Sequence, residues 1–146
     1  MKLYVIHDGD LPLPEAALVN VDNTFDMNRM ATDKEYMEKM MAATIQIPMS
    51  SYLIEAEEGT ILFDFGNSLH SSIKVPPEQS LLYSLNQLGH KPEDIRYAVC
   101  SHLHSDHIGY LKYFTNSKIY IHHDELSVVR HLYDTKTYAE NLYYQK

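Results

Sequence analysis

The segment SHLHSDHIG, Ser101 to Gly109, gathers three imidazoles and one carboxylate: His102, His104, Asp106 and His107. Neutral imidazole and carboxylate are the usual protein donors for zinc, and iron or manganese accept the same set. His102 and His104 are two apart. In extended backbone, residues two apart point the same way, so both rings can reach one ion. Asp106 and His107 follow after a turn and can face a second point nearby. Gly109 then lets the backbone close down tightly before the next element. Read blandly, this is a polar loop that happens to be rich in histidine. Its position argues otherwise. It follows the apolar run IRYAVC, and open α/β sheets bind ligands at the carboxyl ends of their strands.

Several elements must position this loop. KLYVIH is β-branched and aromatic and reads as a first strand from Lys2. Residues 8–30 carry Asp, Pro and Asn clusters and read as loop, with a short strand near Ala17 to Val21. TDKEYMEKMMAA (32–43) opens with Thr32 and has Glu35 three residues on, a capping-box pattern for a short helix. Its apolar side is Tyr36, Met37, Met40 and Met41, read as core or rim packing. In SSYLIEAEEGTILFDFG (50–66) two apolar runs flank EAEEGT with Gly59 at the turn, a β-hairpin. PPEQSLLYSLNQLG (76–89) reads as a helix with Leu81, Leu85 and Leu88 on one face and Gly89 as its cap. EDIRYAVCS is a strand, IGYLKYF a short helix, SKIYIHH a strand, and DELSVVRHLY (124–133) a helix whose acidic first turn complements its dipole. The unit from Ile95 to Ile121 predicts a βαβ crossover with two parallel neighbouring strands. The class is α/β, with a mixed sheet and flanking helices.

Composition narrows the partners. The chain has 146 residues, 45% hydrophobic and 22% charged, with a net charge of -8. That size fits one domain in which about 70% of the unfolded surface can be buried. The acidic balance argues against nucleic acid and anionic membranes, which need basic patches. No stretch approaches the roughly 20 apolar residues of a membrane span, and MKLYVIHDGD does not read as a signal peptide. Cys100 is the single cysteine, so no internal disulfide can form, which fits a cytoplasmic protein.

HLHSDH matches the His-x-His-x-Asp-His signature of the metallo-β-lactamase superfamily, and its context agrees. YLIEAEEGTILFDFG resembles that superfamily's early hairpin, and LNQLGHKPEDIRYAVCSHLHSDHIG resembles the helix, strand and metal loop that follow. SHLHSDHIG followed by FTNSKIYIHHDE looks most like the N-acyl homoserine lactonase group. The resemblance implies that His102 and His104 bind a first Zn2+ and Asp106 and His107 a second, two ions per complete domain. It implies that Asp64 orients a ligand histidine from behind. A diiron, oxygen-reducing branch usually carries Glu where His104 stands, so the hydrolytic branch is the better match. The implied chemistry is a dinuclear zinc-bound hydroxide opening a small-molecule lactone or ester, with Asp106 orienting the nucleophile or carrying a proton.

The family fold is an αββα sandwich of two similar halves, and residues 1–146 resemble its N-terminal half. In the family, further ligands come from later segments: a third histidine, a bridging aspartate and a last histidine. Here His122, His123 and His131 read as surface or packing residues. The expectation is therefore a truncated chain, inactive alone, completed by a C-terminal half or by a second copy in a homodimer. Two alternatives stay open. One is a non-catalytic metal-binding half-domain that dimerises. The other is a thioesterase or glyoxalase-II-like hydrolase. A half-sandwich would also leave one apolar sheet face exposed.

Overall fold

Period-two alternation sets the first element. In β1 (Lys2–Pro14), Ile6 and Asp8 are buried and Tyr4 is half-buried, while Leu3, Val5 and His7 face out. The computed structural model describes residues 1–18, 25–67 and 75–134, with the side chains at 132 and 133 outside this set. The strand runs well past the expected KLYVIH, through Gly9 and Pro12 to Pro14. Proline is tolerated there because β1 is an edge strand of a sheet ordered β1-β2-β3-β4-β5, where a missing N–H need not break a ladder. The rest of the expected 8–30 loop also differs. Ala17 falls in a short helix, α1 (Glu15–Leu18), rather than a strand, and residues 19–21 lie outside the described set.

Two short helices follow, α2 (Met27–Thr32) and α3 (Lys34–Met41). The cap of α3 is Asp33, not Thr32: its carboxylate accepts the Tyr36 N–H at 3.0 Å. Thr32 is already committed to α2, where its hydroxyl donates to the Asn28 carbonyl. Tyr36 is buried and Met40 half-buried, but Met37 and Met41 are exposed.

The hairpin pairs β2 (Thr44–Ala56) with β3 (Gly59–Phe63), antiparallel, with Leu53 opposite Leu62 and Ala56 opposite Gly59. Glu57 and Glu58 form the turn, and Gly59 takes a φ of 135° that suits glycine. The expected 76–89 helix is split. Pro77–Gln79 form a 3₁₀ turn, and Ser80 caps α4 (Leu81–Gln87). Leu81 and Leu85 on α4 are fully buried. β4 (Tyr97–Cys100) lies parallel to β3, with Ala98 opposite Leu62, and β5 (Lys118–Ile121) lies parallel to β4, as the crossover predicts. Between them the expected 108–114 helix is one 3₁₀ turn, Leu111–Tyr113. The last described element is α5 (His123–Asp134).

Two compact units emerge, Asp10–Pro48 and the residues on either side of it. The core of the second joins one sheet face (Ile6, Leu53, Leu62, Ala98, Cys100) to Leu81, Leu85, Phe65 and Phe114. Each fully buried Leu contributes roughly 1.5–3 kcal/mol of transfer free energy. The opposite sheet face carries Tyr52, Ile54, Ile61, Phe63, Tyr97, Val99 and Tyr120, all half-buried or exposed. Among the described residues no helix is long and apolar enough to cross a membrane.

Candidate metal centre

Because β3 and β4 are parallel, their carboxyl ends lie together, and two segments meet there: Asp64–Asn67 after β3 and Ser101–Gly109 after β4. Backbone hydrogen bonds join them. Phe65 N–H donates to the His107 carbonyl, Gly109 N–H to the Gly66 carbonyl, and Tyr110 N–H to the Phe65 carbonyl, all at 2.8–2.9 Å. Buried Phe65 and Phe114, ring centroids 5.2 Å apart, anchor this seam in the core.

Asp64 sits at the centre. It is buried and holds a left-handed φ of 62°, which Asp tolerates better than most residues. One carboxylate oxygen accepts the Ser101 N–H at 2.7 Å. The other accepts the Ser101 hydroxyl at 2.7 Å and faces His107 Nδ1 at 2.8 Å. Burial pushes this carboxyl up, but the bonds from His107 and Ser101 outweigh it, and the net pKa lies below the ordinary value. His107 moves the other way. Burial alone would lower it, yet Asp64, Asp106 and Asp8 together raise it.

These bonds orient the imidazole rings. His107 gives Nδ1–H to Asp64, so Nε2 keeps its lone pair. The Ser101 hydroxyl donates to Asp64, so its oxygen can accept Nδ1–H of His102 at 3.0 Å, which turns His102 Nε2 toward His104. His102 Nε2 lies 3.0 Å from His104 Nδ1, and His107 Nε2 lies 3.5 Å from Asp106 Oδ2. His104 is depressed by burial and by the neighbouring His102, which favours its neutral, donor-ready form.

The donor spacing can be tested against zinc. Two nitrogen or oxygen donors at 2.0–2.1 Å on one tetrahedral ion lie about 3.4 Å apart. Both pairs, at 3.0 and 3.5 Å, are close to that. The residues therefore fit two ions in pairs. Among the described residues no group of three or more His, Cys, Asp or Glu is disposed to hold one ion. His122, His123 and His131 are exposed, the first two beside Asp124 at 3.6 and 3.4 Å.

The family model described as the metallo-β-lactamase superfamily matches residues 47–136, more than half of the chain. The chain belongs to this superfamily. The N-acyl homoserine lactonase AiiB of Agrobacterium fabrum is 30% identical, aligned over 86% of this chain and 48% of its own length. The crystal structure of a quorum-quenching N-acyl homoserine lactone hydrolase superposes with a TM-score of 0.69 at 28% identity, over 89% of this chain and 49% of that one. AidC, a dizinc quorum-quenching lactonase in complex with a product, gives a TM-score of 0.60 at 25% identity, over 86% and 42%. The chain thus spans about half the length of the relatives it matches. Its mixed five-stranded sheet with flanking helices is the metallo-β-lactamase fold over that span.

Sequence reasoning passed over three groups in this superfamily member. Ser101, inside the quoted motif, links Asp64 to two of the histidines. Asp8 is 2% exposed, accepts the Ser51 hydroxyl through Oδ2, and has no hydrogen-bond partner for Oδ1 among the described residues. Its signal was available: in β1 it shares the inward face with Tyr4 and Ile6. Glu125, on the first turn of α5, accepts the Leu103 N–H at 3.2 Å. Only the spatial return of α5 to the loop brings it there.

Proposed function

We propose that His102 and His104 hold one zinc ion and Asp106 and His107 a second, in a hydrolase that opens N-acyl homoserine lactones or related esters. The pairing of donor atoms at zinc-like spacing, at the carboxyl ends of parallel strands, carries the metal half of this reading. The names of the relatives, lactonases and a dizinc lactonase among them, support the substrate half. Iron or manganese would fit the same donors.

Zinc bound there supplies Lewis acidity, polarising a carbonyl and making water acidic enough to attack near neutral pH. The protein's share is orientation. Asp64 fixes His107 through Nδ1, and Ser101 fixes His102, so each ring presents Nε2. Asp106 takes the catalytic role, holding or passing a proton at its carboxylate beside His107. Two donors per ion fall short of a tetrahedral shell. Further donors are needed for turnover, and we read residues 1–146 as the first half of an αββα domain that receives them from a complementing half or a second copy. With a single cysteine and no need of an oxidising compartment, we place it in the cytoplasm.

The test has two arms. Metal content after dialysis against zinc, measured by elemental analysis for wild type, His104→Ala and Asp106→Ala, addresses the ligands. Unchanged zinc content in both variants would refute the site. Hydrolysis of N-hexanoyl-homoserine lactone, measured on the domain completed by its remaining half, addresses the substrate. Thioester cleavage without lactone opening would favour the thioesterase reading.

A further inference from the structure

Glu125 lies in the acidic first turn of α5, where a carboxylate is explained well enough by the helix dipole. Its contacts ask for more. Unlike the exposed Asp124 beside it, Glu125 is half-buried, and its carboxylate turns to the loop and accepts the N–H of Leu103 at 3.2 Å. Leu103 stands between His102 and His104 and packs against the core. Its N–H belongs to the peptide that joins His102 to Leu103. At 3.2 Å this bond is of ordinary length, and it fixes the orientation of that peptide plane.

We propose that Glu125 is a positioning residue of the metal centre. Through the Leu103 N–H it fixes the peptide between His102 and His104, and so holds their ring nitrogens 3.0 Å apart, the spacing one ion needs. The inference rests on the metal reading proposed above. The anchoring is two-sided: Leu103's side chain is gripped by the core and its backbone by α5. Because β4 and β5 are parallel neighbours, the start of α5 returns to the same end of the sheet as the loop. The brace therefore follows from the parallel pairing of β4 and β5.

Three variants separate the possibilities. Glu125→Ala removes the acceptor. Glu125→Asp keeps the charge but shortens the reach by one methylene. Glu125→Gln keeps reach and acceptor without the charge. Two readouts are taken on the purified chain: hydrogen exchange of the Leu103 amide by NMR without metal, and zinc affinity by competition with a chelating dye. Glu125→Ala and Glu125→Asp should speed Leu103 exchange at least tenfold and weaken zinc roughly 10- to 100-fold, the usual effect of losing an outer partner. Glu125→Gln should stay near wild type in both, and His90→Ala, remote from the loop, should leave both unchanged. Wild-type exchange and wild-type zinc affinity in Glu125→Asp would overturn the proposal. If Glu125→Ala does not fold, the Asp and Gln variants decide alone. If wild type binds zinc no better than His104→Ala, the metal reading fails, and unaltered Leu103 exchange in Glu125→Asp would still refute the brace itself.

Discussion

Asp8→Asn should stabilise the protein increasingly as pH rises. Asp8 is buried, with Oδ2 bonded to the Ser51 hydroxyl and no partner for Oδ1 among the described residues. Burial pushes its carboxyl up to about 6, against 3.8 in the unfolded chain, with Ser51, His7 and His107 pulling partly back. At 1.36 kcal/mol per pH unit, that gap is worth about 3 kcal/mol. The sign follows from proton counts. Between pH 3.8 and 6 the folded state binds more protons than the unfolded one, so this group's contribution to stability falls as pH rises. Above 6 the full penalty of a buried carboxylate applies, and below 3.8 there is none. Asparagine keeps the acceptor for Ser51 and never ionises. Any cost of seating its amide is the same at every pH and cancels in the comparison. Urea unfolding followed by far-UV circular dichroism at pH 4.5 and 7.5 reads the difference. The stability of Asp8→Asn relative to wild type should grow by about 2 kcal/mol between those two values, the share of the 3 that falls in that window. A relative stability that stays constant across the range would show that Asp8 is not a buried ionisable liability.

Further outcomes follow from the same seam. Gly66 has a φ of 62°, and a Cβ there would sit 3.0 Å from Asp8 Oδ1 and 3.1 Å from the Leu81 Cβ. Gly66→Ala should therefore cost about 1–3 kcal/mol in urea titrations, part of it recovered in the double variant with Asp8→Ala. Asp64→Asn should lower zinc affinity roughly 10- to 100-fold in dye competition, because His107 loses its charged partner at Nδ1. In wild type, zinc affinity should fall as pH drops. His107 is raised above its ordinary 6.5, so protons compete for it earlier than for a free imidazole. At the other end of the sheet, Glu55 is held below its usual 4.5, chiefly by its bond from His90 at 2.9 Å. A depressed carboxylate contributes stability that is lost as pH falls through its folded value. His90→Ala removes that contribution and should move the acid-unfolding midpoint to higher pH.

Much of this protein could be read from local pattern. The hairpin came from two apolar runs around EAEEGT, and the structure sets its register, with Leu53 against Leu62 and both inside. The leucines of α4 and the parallel pairing of β4 with β5 followed from periodicity and connection rules. The donor set of HLHSDH needed only residue types and a spacing of two. Helix ends were less legible. Thr32 and Asp33 are both good caps, and nothing local says that α2 would claim the first and leave the second to α3. The extent of β1 was hidden because DGDLPLP carries turn residues. Its proline content becomes tolerable only at a sheet edge, and edge position is a property of the whole sheet.

The sequence by itself determined which side chains with metal-binding chemistry stand two residues apart in one loop. Tertiary structure decided how those side chains are oriented and what holds them. Asp64 and His107 are 43 residues apart, and Leu103 and Glu125 are 22 apart. These contacts exist because parallel strands bring every carboxyl end to one rim. Imidazole tautomers, the peptide plane inside HLH and the raised carboxyl of Asp8 all depend on burial and on partners distant in the chain. Local residue patterns do not encode such partners, whereas the packing of the sheet does.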